Sequence, residues 1–86
     1  MLSDVVMVGI LEDVFNGGFR HLSIESNNAL TEERKVSLIP LLYWSRSKNN
    51  VLTNKRRGTK VIVKGRIESD EVIGLYVLVE CIQSVR

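Results

Sequence analysis

Eight of the twelve lysines and arginines fall between Arg46 and Arg66: Arg46, Lys48, Lys55, Arg56, Arg57, Lys60, Lys64 and Arg66, with no Asp or Glu among them. The rest of the chain carries four cations against ten acids, so a formal charge of +2 hides a polarised distribution. Cations free of interspersed acids suit a polyanion, because each one that meets a phosphate releases a condensed counterion. Nothing else in the sequence has the spacing of a reactive centre. The single histidine, His21, and the single cysteine, Cys81, lie far apart and have no partner at metal-ligand or catalytic spacing. His21 reads as a surface side chain. Asp70 and Glu71 read as a hairpin tip, and Gly17-Gly18 lacks the lysine and helix of a phosphate loop. The chain reads as a binding protein without a cofactor, not as an enzyme.

Those cations need elements to hold them, and 86 residues, 44% of them hydrophobic, make a single folded domain over 1–86. Asp4 to Leu11 is β-branched and apolar on both faces, so both faces should be covered. Gly9 inside it predicts a bulge or a sharp bend, as in a strand that serves two sheets. Asn16-Gly17-Gly18 is a hairpin signal, and a second strand follows from Phe19 to about Ser26, with Leu22 and Ile24 facing one way and His21, Ser23 and Glu25 the other. Residues 27–35 are polar and read as a loop holding one helical turn capped by Thr31.

Val36 to Trp44 is again apolar throughout: Ile39, Leu41 and Tyr43 share one face, and Leu38, Leu42 and Trp44 the other. Pro40 has no N–H, so this strand is an edge or irregular there. Neither face suits water, so one is core and the other meets a second subunit or a ligand. Ser45 to Arg57 reads as a short or frayed crossover helix, with Ser45 as its cap and Gly58 as its stop. Lys60 to Glu68 alternates, with Val61, Val63 and Ile67 on one face and Lys60, Ile62, Lys64 and Arg66 on the other. Ser69-Asp70-Glu71 turns into a fifth strand from Val72 to about Gln83, where Gly74 predicts a bulge and Cys81 a small buried thiol. Three strands, a short helix and two more strands, with interior glycines, describe an all-β, five-stranded OB barrel whose helix lies between strands three and four.

Several stretches in this order resemble the bacterial single-stranded DNA-binding protein family. Asp-Val-Val-Met-Val-Gly-Ile-Leu (4–11) is similar to the family's opening strand, and Leu-Ile-Pro-Leu-Leu-Tyr-Trp-Ser-Arg (38–46) to its Phe-Ile-Pro-Val-Val-Ala-Trp-Gly-Lys. Asn-Asn-Val (49–51), Lys-Arg-Arg-Gly-Thr (55–59), Val-Ile-Val-Lys-Gly-Arg-Ile (61–67) and Val-Glu-Cys-Ile (79–82) resemble later family segments at the same spacing. The departures are specific. Aromatic residues are few, Leu38 stands where the family has an aromatic, and the hairpin between strands four and five is short and acidic. The chain stops at Arg86, before the family's linker and acidic tip, so tail-mediated recruitment is not expected. A tail-less short variant resembling the primosomal replication accessory protein fits these departures.

The resemblance implies single-stranded DNA binding with little sequence preference, in DNA replication, recombination or repair. The eight cations track phosphates, and Trp44, Phe19 and Tyr76 offer ring faces on which bases stack. Trp44 aligns with a family aromatic, although a core position fits it equally. Tyr43 and Tyr76 are both amphipathic and could stack, but each reads first as packing at a sheet face or interface, and Phe15 is the weaker aromatic candidate. RNA is a second ligand such a barrel accepts. Homo-oligomerisation through strands one and three is expected, as a tetramer or a dimer, in the cytoplasm and without a membrane segment. The alternative is a protein-interaction module of a replication restart complex, with weak DNA binding and replication proteins as partners.

Overall fold

Alternation of apolar and polar residues builds five strands, and their pairing closes them into a barrel. The computed structural model describes residues 4–27, 34–45 and 50–85. In chain order the elements are β1 (Asp4–Phe15), β2 (Phe19–Asn27), β3 (Arg34–Tyr43), the helix α1 (Val51–Asn54), β4 (Lys60–Asp70) and β5 (Gly74–Ser84). Around the barrel the order is β1-β2-β3-β5-β4. Every pairing is antiparallel except the short parallel seam of Leu41, Leu42 and Tyr43 against Val77, Leu78 and Val79. This is the OB barrel with its short helix between β3 and β4.

The interior is filled from every element: Leu11, Leu22, Leu41, Leu52, Val61, Val63, Val77 and Val79 are buried. The face of β3 carrying Ile39, Leu41 and Tyr43 packs into this core, and Leu38 and Trp44 point outward. β1 does serve two partners, pairing with β4 from Asp4 to Ile10 and with β2 from Ile10 to Phe15. The bulge lies between Leu11 and Val14, not at Gly9. Gly9 sits at the crossing, where a Cβ would stand 2.5 Å from the Ser23 carbonyl oxygen. Pro40 lies on the stretch of β3 that pairs only with β2, so its missing N–H is not needed by a second neighbour among the described residues.

Several expectations are corrected. The helix is one turn, and Asn50, not Ser45, caps it: Asn50 Oδ1 accepts from the Thr53 N–H at 3.0 Å, while Thr53 Oγ1 accepts from the Asn50 N–H at 3.3 Å. Its one apolar anchor, Leu52, is fully buried, and Gly58 belongs to the turn before β4. β3 begins at Arg34 instead of Val36, and the helical turn expected from Thr31 lies outside the described residues. The last hairpin turns at Glu71-Val72-Ile73, two residues later than expected, and Gly74 closes it at φ 87°. Asp70 fixes that turn by accepting the Ile73 and Val72 N–H groups (2.9 and 2.7 Å), bonds that hold its carboxyl below the usual range. Ile67 has the parity of Val61 and Val63 but is 44% exposed, and with Val5, Met7, Leu38 and Leu75 it lines an open apolar hollow instead of the closed core. β1 is not covered on both faces within one chain: Val6 is 67% exposed and Val8 47%.

Cys81 is also exposed instead of buried. Between β4 and β5 the register runs Lys64↔Cys81 and then Gly65↔Val79, so Glu80 is an extra residue that reverses the facing of everything after it. Gly65 makes the close approach possible, since a Cβ there would collide with the Leu78 carbonyl.

Candidate nucleic-acid interface

The outward side chains of β2, β4 and β5 form one surface that runs from an aromatic cluster to a file of cations. On β2, Arg20 and Leu22 turn inward, which leaves Phe19 and His21 outward. Phe15 and Phe19 flank the Asn16-Gly17-Gly18 turn with ring centroids 5.8 Å apart, and His21 stacks on Phe15 at 4.1 Å and 14°. Phe19 meets the edge of Tyr76 at 5.3 Å and 88°. Side chains from two hairpin ends are thus gathered into one half-buried group.

From Tyr76 the outward file continues along β5 through Leu78 to the seam with β3. There the Trp44 N–H donates to the Val79 carbonyl at 3.0 Å, extending the parallel ladder by one residue. Trp44 is 60% exposed, which resolves its two readings in favour of an accessible ring. Its ring lies 5.9 Å from that of Tyr43, which packs partly into the core. Trp44, Arg66, Leu78, Glu80 and Cys81 line one shallow cleft. Beside it β4 presents Arg66, Lys64 and Lys60 outward, in register with Asp4, Val6 and Ile10 of β1.

The basic segment is divided. Lys60 and Lys64 make no ion pair among the described residues, while Arg66 Nε lies 3.2 Å from Glu68 Oε1. Arg57 is held between Glu12 (3.1 Å) and Asp13 (3.4 Å), and Lys55 Nζ donates to Ser84 Oγ at 2.8 Å. Arg56 is exposed, and its carbonyl accepts from Thr59. Arg57 therefore sits by the β1 bulge, while Lys55 reaches Ser84, the partner of Val61 at the Lys60 end of the β4 file. Arg46 and Lys48 lie outside the described residues.

The sequence ranks Phe15 only as the weaker aromatic candidate and reads His21 as a surface side chain, whereas both belong to the aromatic group. The hairpin signal at residues 16–18 already places Phe15 opposite Phe19, and the parity of β2 puts His21 on the same face as Phe19. That signal was sufficient to find them.

Solved structures resemble the barrel over nearly its whole length. The small single-stranded DNA-binding protein from Streptomyces coelicolor is similar over 99% of this chain and 94% of its own, with a TM-score of 0.72 and 14% identity. Two crystal structures of the mitochondrial single-stranded DNA-binding protein from S. cerevisiae cover 100% of this chain and 97% and 96% of their own, with TM-scores of 0.64 and 0.61 at 18% identity. No protein-family model and no curated protein matches the chain. At these identities the likeness is one of fold, and at that level the resemblance read from the sequence is borne out.

Proposed function

We propose that this protein binds single-stranded DNA with little sequence preference, as a homo-oligomer acting in DNA replication, recombination or repair. The observation that carries the reading is the continuity of one outward surface: Phe19 touches Tyr76, the β5 file leads to the exposed ring of Trp44, and Arg66 and Lys64 run alongside. Stacking on sequence-tolerant ring faces and pairing of phosphates with a cation file together make a general single-strand binder. The neighbours in fold are named as single-stranded DNA-binding proteins, which supports the same reading.

Titration of a fluorescent oligo-dT of about 35 nucleotides, long enough for several OB sites, tests it. Saturable binding that weakens with salt is expected, with quenching of Trp44 emission. No binding at low salt would sink the proposal. Oligomerisation is supported by the uncovered Val6 and Val8 and by the edge of β1 from Asp4 to Gly9, which has no strand beside it opposite β4 among the described residues. Sedimentation equilibrium should give a multiple of 9.7 kDa; a mass of one chain at micromolar concentration would refute this part.

A further inference from the structure

The cleft at the β3–β5 seam holds a carboxylate that phosphate tracking does not explain. Glu80 is the bulge residue of β5, and the β4–β5 ladder skips it between Val79 and Cys81. Because the Trp44 N–H is bonded to the Val79 carbonyl, Trp44 and Glu80 stand side by side across the seam and line the same cleft. Both are exposed, and Glu80 makes no ion pair among the described residues. The nearby guanidinium of Arg66 is paired instead with Glu68.

A free carboxylate beside a stacking ring repels phosphate, so a strand crossing this cleft must turn a base toward Glu80 and keep its backbone on the side of Arg66 and Lys64. An ionised carboxylate only accepts hydrogen bonds, through two oxygens set to receive parallel donors. Among the unpaired bases only guanine presents two such donors on one edge, its N1–H and its 2-amino group. Cytosine and adenine offer one amino donor next to a ring-nitrogen acceptor. Thymine offers a single N–H between two carbonyls.

We propose that Trp44, Glu80 and Arg66 form a base subsite that prefers guanine: the base stacks on Trp44, Glu80 accepts from its Watson–Crick edge, and Arg66 takes the adjoining phosphate. The proposal rests on the single-stranded DNA reading and adds a local preference to a generally tolerant surface.

The test uses the full chain and oligo-dT of about 12 nucleotides, within the range of one OB site, in which isolated thymidines are replaced by deoxyguanosine or deoxyinosine. Isolated guanines avoid quadruplex formation, and inosine keeps N1–H but lacks the 2-amino group. The guanine oligonucleotide should bind about fivefold more tightly than the all-thymidine one, the low end for a bidentate contact. The inosine oligonucleotide should fall between them. Glu80→Gln should tighten binding of the all-thymidine strand by removing repulsion, and should bring the guanine-to-thymidine ratio close to one. Equal affinity of the unmodified protein for all three strands, or a ratio preserved in Glu80→Gln, would overturn the subsite. Failure to bind any strand at low salt would instead overturn the single-stranded DNA reading on which it rests.

Discussion

Replacing Arg20 with alanine should cost about 3–4 kcal/mol of stability, a large share of the roughly 5–15 kcal/mol that holds a domain together. Arg20 is the one buried charged residue among the described residues, at 3% exposure. Its Nε donates to the Glu12 carbonyl at 2.6 Å, and its Nη1 donates to the carbonyls of Leu52 at 2.9 Å and Lys55 at 2.5 Å. Glu12 lies in the β1 bulge, and the other two belong to the end of α1, whose last carbonyls have no partner within a single turn. One guanidinium therefore ties the bulge, β2 and the helix together. Burial lowers its pKa and Asp13 opposes that shift, but an arginine stays charged at neutral pH. Each bond from a charged donor contributes about 1.5–3 kcal/mol, and water entering the vacated space recovers part of the loss. Thermal unfolding followed by circular dichroism should show a fall of about 15 °C or more. Arg20→Lys should lose roughly half as much, since a single ammonium does not span all three carbonyls. A loss below about 1 kcal/mol for Arg20→Ala would mean that those carbonyls are satisfied without it.

Arg20 also shows what the sequence could and could not reveal. Its parity with Leu22 and Ile24 puts it on the inward face, so its burial was legible, but its three acceptors come from segments 8, 32 and 35 residues away. The barrel itself was legible because strand alternation, the Asn16-Gly17-Gly18 turn and Pro40 are local signals that agree with one another. Cys81 was misplaced for the opposite reason: a bulge leaves no mark in an apolar run, and one extra residue, Glu80, exchanges inside for outside. The helix was overestimated because a serine near a polar stretch resembles a cap, whereas the reciprocal pair of Asn50 and Thr53 forms only where Leu52 reaches the core. In the candidate interface, the cations were visible as a cluster in sequence. Their division was not, because the acids that hold Arg57, Glu12 and Asp13, lie some 45 residues earlier in the chain.

That division yields the largest expected effect on binding. Changing Lys60, Lys64 and Arg66 together to alanine should weaken oligo-dT binding about a hundredfold at 0.1 M salt and reduce the salt slope by about 2, as expected for three lost phosphate contacts on a single strand. Lys60 and Lys64 are free of ion pairs among the described residues, so their charge is available without first breaking a contact. Arg66 must release Glu68, but an exposed pair of this kind contributes only about 0–1 kcal/mol. None of the three side chains fills the core, so the melting temperature should stay within a few degrees, about what 1 kcal/mol produces. Changing Lys55, Arg56 and Arg57 to alanine removes the same formal charge and provides the comparison. With Arg57 held by Glu12 and Asp13, and Lys55 bonded to Ser84, this second triple should weaken binding by only about tenfold or less. Equal losses from the two triples would mean that net charge alone governs affinity. A larger loss from the second would move the strand from the β4 file to the barrel end beside the β1 bulge.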